Sequence, residues 1–235
     1  MPNAFETLVP VARGADAPQA ERTKGLALIG LAVAFGWPLI LLIPGVSGFS
    51  ITSIPDNAVN IGLKWLVVAA LSVIVFRAQR RPLSEVGIRG VGWCDILAAI
   101  GGAIIGIVLS GVANRMGAIH PSVNDLQVIA AVPLSLRAAL VLTAGICEEF
   151  IYRGFAIEEL TFLKSKRWLS AVVAWAFFTV SHALPDNLST ALFVPGTLGA
   201  VLTVLYLWRR NLASCALMHA IVDAVFLVIL PAMLR

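Results

Sequence analysis

Six ionisable side chains lie inside apolar runs of this sequence, and their types suit hydrolysis. They are Glu148, Glu149 and Arg153 in one run, His182 in a second, and His219 with Asp223 in a third. A charged group in hydrocarbon costs about 2.5 kcal/mol or more, so such residues mark function by default. On a helix, Glu149 and Arg153 are four apart and share a face, which lets the guanidinium neutralise that carboxylate. Glu148 is turned from its neighbour by about 100° and has no local cation. Phe178 shares a face with His182. His219 shares one with Asp223, whose carboxylate can orient the imidazole or accept its proton. Three helices carrying groups that lipid penalises are expected to turn them toward one another, into one cavity.

A carboxylate without a salt bridge, held in low dielectric, suits a general base, and two imidazoles beside it can stabilise an oxyanion or protonate a leaving amine. The same Glu148, His182 and His219 also suit a catalytic zinc with an open fourth position. Spacing leaves both routes open. Ser181 next to His182 is expected to point away from it, since adjacent helix positions diverge. The sequence has no Gly-x-Ser-x-Gly, no His-Glu-x-x-His and no phosphate-binding glycine loop. Taken singly, a Glu-Arg pair is membrane glue and an intramembrane histidine is a helix-helix hydrogen bond; the set of three helices argues for a site.

The elements that must position these residues are membrane helices. The chain has 235 residues, 59% of them hydrophobic and only 13% charged, with a mean hydropathy of +0.92. A soluble domain is about half apolar and a quarter charged. The expected fold is all-α, a polytopic transmembrane bundle of about seven spans. Runs of spanning length are Gly25–Ile43, Asn60–Phe76, Ile96–Ala113, Ala138–Ile157, Trp168–Leu184, Thr190–Trp208 and Leu212–Leu230. The first is read as an uncleaved span rather than a signal peptide, because it is long and follows an acidic-containing tail. The segments divide into a flexible cytoplasmic tail (1–24), N-terminal helices (25–113), a loop with an interfacial or re-entrant turn at Val128–Val132 (114–137), and a second group of helices holding the six polar residues (138–235). Lys64 and Asp95 lie near run ends, where they can snorkel or stay wet. Gly102 and Gly106 form a small-xxx-small face suited to close helix approach.

Charge distribution fixes the expected sidedness. Arg13, Arg22 and Lys24 precede the first span; Arg77, Arg80, Arg81 and Arg89 follow the second; Lys164, Lys166 and Arg167 follow the fourth; Arg209 and Arg210 follow the sixth. The loops Pro44–Val59 and Pro185–Ser189 carry no basic residue, and the loop after span three carries only Arg115 and Arg137. The alternation puts the N-terminus in the cytoplasm, in a multi-pass protein of the plasma or inner membrane. Trp65, Trp93, Trp168 and Trp208 near span ends form an aromatic belt. A net charge of +4 gathered in short loops, with no continuous basic stripe, excludes a nucleic-acid interface. Cys94, Cys147 and Cys215 are isolated, so they form no disulfide framework or zinc knuckle.

At the polar positions the sequence resembles the CAAX protease and bacteriocin-processing family of intramembrane proteases (CPBP, or Abi). The motifs in order are Glu148-Glu149-Phe150-Ile151-Tyr152-Arg153, Phe178-Thr179-Val180-Ser181-His182 and His219-Ala220-Ile221-Val222-Asp223. The resemblance covers about Ala138 to Leu230; the first three spans match only in being hydrophobic. It implies that Glu148 activates the hydrolytic water and that Glu149 and Arg153 shape the site, together with Tyr152 and Phe178. His182 and His219 would bind water, metal or oxyanion. Asp223 stands where the family usually has Asn. An amide can donate to an oxyanion and an ionised carboxylate cannot, so Asp223 is either protonated or a partner of His219. The implied activity is that of an endopeptidase, metallo- or glutamate-type, acting on a membrane-anchored or lipidated peptide among membrane lipids. Two other readings of buried carboxylates and histidines are a proton-coupled transporter and a catalytically silent immunity or scaffold protein. Straight-span counting leaves one tension: Glu148 falls near mid-membrane and His182 at the outer end of its helix, roughly 10 Å apart in depth.

Overall fold

The computed structural model describes residues 17–42, 54–115, 123–183 and 192–233. The start of the expected tail, the loop Pro185–Ser189 and most of Pro44–Val59 lie outside these. The described chain is all-helical. Helix α1 spans Ala17–Gly36 and runs on into a 3₁₀ turn, Trp37–Leu42; the tail is therefore helical from Ala17, not loose to position 24. Helix α2 spans Ile54–Ala78, α3 Trp93–Arg115 and α4 Val123–Ala131. Helix α5 covers 134–162, α6 Arg167–Ala183, α7 Leu192–Arg209 and α8 Leu212–Ala232.

By length and composition, α1, α2, α3, α7 and α8 are apolar enough to cross a membrane. Helix α5 carries the charge that defines the site, and α6 has 17 residues, the lower limit for a span. Helix α4, of nine residues, is too short to cross and ends at Ala131, two residues before Pro133. Trp93, Trp168 and Trp208 are exposed at helix ends. Trp65 departs from the belt: α2 starts six residues earlier than the apolar run suggests, so Trp65 lies well inside the helix, and its indole donates to Thr143 Oγ1 at 3.2 Å.

Helix α5 is the axis of the bundle. Every residue from Cys147 to Glu159 is buried, and a helix buried on all sides has neighbours on all sides. Helices α1, α2, α6 and α8 all pack on it. Between α-helical ends (Leu134–Thr143 and Ile157–Phe162), residues Ala144–Ala156 form a π-helix, with Ile157 N–H bonded to the Tyr152 carbonyl. Such i→i+5 stretches are rare and concentrate at functional sites. Glycines let neighbours approach here: a Cβ on Gly145 would stand 2.9 Å from the Ala216 carbonyl oxygen of α8, and one on Gly154 3.0 Å from that of Val86. The Gly102–Gly106 face of α3 likewise admits Met218 of α8 and Leu198 of α7.

The α5–α6 hairpin removes the depth tension. The expected span ended at Ile157, but the helix continues to Phe162 and turns over Leu163–Lys166. Glu148 lies fifteen residues before Leu163 and His182 sixteen after Lys166, so the two antiparallel helices carry them to the same depth.

At that turn, basic residues from three loops converge on two buried carboxylates. Glu158 receives Arg167 (3.0 Å), Arg210 (2.5 Å) and the Tyr206 hydroxyl (2.9 Å). Glu159 receives Arg81 and, at 3.0 Å, Gln79. Arg209 pairs with Asp95 at 2.9 Å, so Asp95 is buried in an ion pair rather than wet. The chain segments after α2, α5 and α7 therefore lie at one end of the bundle. Arg137, expected in a loop, is buried in α5 and donates to the Leu227 carbonyl at 2.9 Å, within another π turn, Val225–Ile229.

Candidate active site

The six polar residues of the sequence motifs form one cluster. Glu149 and Arg153 pair on α5 at 2.8 Å, as their spacing requires. Arg153 does more than neutralise: its second nitrogen donates to the Gly199 carbonyl of α7 at 3.0 Å, and its guanidinium stacks 4.5 Å from the Phe178 ring. Gly199 makes this possible, since a Cβ there would meet Phe178 at 2.8 Å. Phe178 in turn packs on Tyr152 (5.2 Å, edge-on), His182 (4.5 Å) and His219 (6.3 Å). It is the apolar floor on which both imidazoles rest.

Tautomers follow from partners, because a carbonyl or carboxylate oxygen only accepts. His182 Nδ1 lies 2.8 Å from the Phe178 carbonyl, so Nδ1 carries a hydrogen. In the neutral ring Nε2 is then an acceptor, and it faces Glu148 Oε2 at 3.8 Å, too far for a direct hydrogen bond. His219 Nδ1 donates to Glu149 Oε1 at 2.7 Å, while its Nε2 stands 3.6 Å from Asp223 Oδ2. The expected His219–Asp223 face exists, but the shorter contact of His219 is to Glu149. Ser181 comes closer to His182 than adjacent positions suggest, with Oγ 3.4 Å from Nδ1. It still makes no nucleophile-base pair: its hydroxyl donates to the Phe178 carbonyl at 2.7 Å, and Nδ1 spends its hydrogen there too.

One sequence expectation is overturned. Glu148 is not free of a salt bridge. Lys64 of α2 reaches it, with Nζ 2.5 Å from Oε1. Lys64 does not snorkel to a helix end; it lies mid-helix, with its side chain 13% exposed, and its ammonium is 5.9 Å from the Trp37 ring. A lysine in an apolar run was the signal for it, but the partner is 84 positions away. Glu148 Oε2 is buried with no hydrogen-bond partner.

A zinc ion on Glu148, His182 and His219 fits this arrangement poorly. Among the described residues, no three His, Cys, Asp or Glu side chains are grouped to hold a metal. The Lys64 ammonium holds Glu148 Oε1, so a divalent cation on the other oxygen would stand close to it, where like charges repel strongly in low dielectric.

Residues 130–225 match the family model described as Rce1-like, Type II CAAX prenyl endopeptidase Rce1-like. No curated protein and no solved structure gives a significant match. The matched segment holds Glu148, Glu149, Arg153, His182, His219 and Asp223, and leaves Lys64 outside. Over that segment, 96 of the 235 residues, the chain is similar to the Rce1-like type II CAAX prenyl endopeptidases.

Proposed function

We propose that this protein is an intramembrane endopeptidase in which Glu148 activates a water for attack on a peptide bond. One observation carries the reading: Glu148 Oε2 and His182 Nε2, both acceptors, face each other at 3.8 Å, the carboxylate buried and the imidazole partly exposed. A water between them gives one hydrogen to each and keeps its lone pairs for the substrate carbonyl, the arrangement general-base catalysis requires. Glu148 takes the water's proton as the C–O bond forms, then returns it to the amine as the C–N bond breaks. The oxyanion needs a donor. His219, fixed at Nδ1 by Glu149, supplies it from Nε2 when doubly protonated. That form also balances the cluster, where Glu148, Glu149 and Asp223 outnumber Lys64 and Arg153. Asp223 holds that imidazolium, a role the ionised side chain can fill and an oxyanion donor's it cannot.

The family description supports a substrate ending in a CAAX-type sequence with a prenyl group, cut near its C-terminus within the bilayer. The aromatic and aliphatic surroundings of the cluster suit a lipidated peptide. The test uses purified protein in proteoliposomes with an S-farnesylated, internally quenched peptide ending in Cys-aliphatic-aliphatic-Xaa. Wild type is expected to cleave it, and Glu148→Gln to lose about 10³-fold or more in kcat. Turnover by Glu148→Gln equal to wild type would remove Glu148 from the chemistry.

A further inference from the structure

We infer that Lys64 is a positioning residue of this site, contributed by α2 from outside the matched segment: it clamps one oxygen of Glu148 so that the other faces His182 as the working base. The inference rests on the peptidase reading above.

Three observations carry it. The first is depth. Lys64 lies eleven residues into α2, which spans Ile54–Ala78, where an ammonium is among the costliest groups to place. A lysine there needs a partner that lipid cannot supply. The second is asymmetry. Glu148 Oε1 takes the Lys64 ammonium at 2.5 Å, while Oε2 has no hydrogen-bond partner and stands 3.8 Å from His182. A carboxylate held at one oxygen loses its freedom to rotate about the Cγ–Cδ bond, so its remaining lone pairs keep one direction. Orientation of a reacting group is itself a source of rate. The third is support. The neighbouring Trp65 ties α2 to α5 through Thr143, and the Trp37 ring lies 5.9 Å from the ammonium. The helix that carries the lysine is thus tied to the helix that carries the glutamate, and one tryptophan ring lies by the ammonium.

The inference gives the N-terminal helices a part in the reaction. The matched segment alone would hold Glu148 unclamped, with no cation bonded to its carboxylate among the described contacts; α2 supplies the missing one.

The experiment compares wild type, Lys64→Met, Lys64→Gln and Lys64→Arg as full chains in proteoliposomes, with the same farnesylated quenched peptide. Lys64→Met matches the stem and removes the charge, and Lys64→Gln keeps a donor, so at least one neutral variant is expected to fold; thermal unfolding in detergent checks this. Neutral variants are expected to lose about 10²-fold in kcat, the scale of removing one fixed electrostatic partner, with KM within about threefold. Lys64→Arg is expected to restore at least a tenth of wild-type kcat. Folded neutral variants with wild-type kcat, or a loss confined to KM, would overturn the assignment while leaving the peptidase reading intact. Failure of both neutral variants to fold, with Lys64→Arg folded but inactive, would make Lys64 a structural counter-ion and overturn it as well. An inert wild type would sink the peptidase reading and this inference with it.

Discussion

Each carboxylate of the Glu148-Glu149 pair has its own cation, and the two cations differ in kind. Lys64 is a point charge on a single oxygen. Arg153 is a planar fork used three ways: on Glu149, on the Gly199 carbonyl and on the face of Phe178. An ammonium cannot satisfy all three, so Arg153→Lys is not conservative here. With Arg153 1% exposed, the loss of one buried hydrogen bond and the stacking predicts a destabilisation of about 1–3 kcal/mol. Denaturation in micelles measures it. The same substitution should lower kcat, because Glu149, once held only from one side, no longer fixes the His219 ring.

The π-helix is the device that lets one helix present so many polar groups inward. In an α-helix, consecutive Glu148 and Glu149 diverge by about 100°. The wider i→i+5 winding reduces that divergence, and the pair contacts α2 and α6 on one side and α8 on the other. Such a segment is held by packing rather than by propensity, which makes its glycine contacts sensitive. Gly145→Ala puts a Cβ 2.9 Å from the backbone oxygen of Ala216, which cannot move aside as a side chain can. We expect a loss of about 1–3 kcal/mol, typical of overpacking, together with reduced turnover as α8 carries His219 outward. Unchanged stability and activity in Gly145→Ala would mean that α5 and α8 are less closely seated.

At the scale of the whole molecule, the basic loops serve two ends. The positive-inside pattern reads them as topology signals, yet Arg81, Arg167 and Arg210 are also the counter-ions of buried Glu158 and Glu159. These pairs tie the chain after α2, α5 and α7 into one end of the bundle. Our reading places that end in the cytoplasm and has all the helices except α4 crossing the membrane. Single cysteines at the exposed Arg89 and Lys164, in a background without native cysteines, should then react with a membrane-impermeant maleimide only in inside-out vesicles. Labelling of right-side-out vesicles would reverse the orientation.

Amino-acid order alone determined that lipid surrounds this chain, that its elements are helices, and which six ionisable residues had to meet. Those conclusions rest on local quantities, namely run length, apolar content and spacing of three or four within a motif. The cost of charge in hydrocarbon supplied the convergence. Element ends were less legible: α5 overran its apolar run because Glu158 and Glu159 look like a water-exposed terminus until their arginines are in place. Only the tertiary structure decided that Lys64 belongs to Glu148 and that His219 takes Glu149 as its closest partner. It alone showed that thirteen residues of α5 wind as a π-helix. A pairing across 84 positions depends on which helices are neighbours and how they are rotated, and no spacing along the chain encodes that.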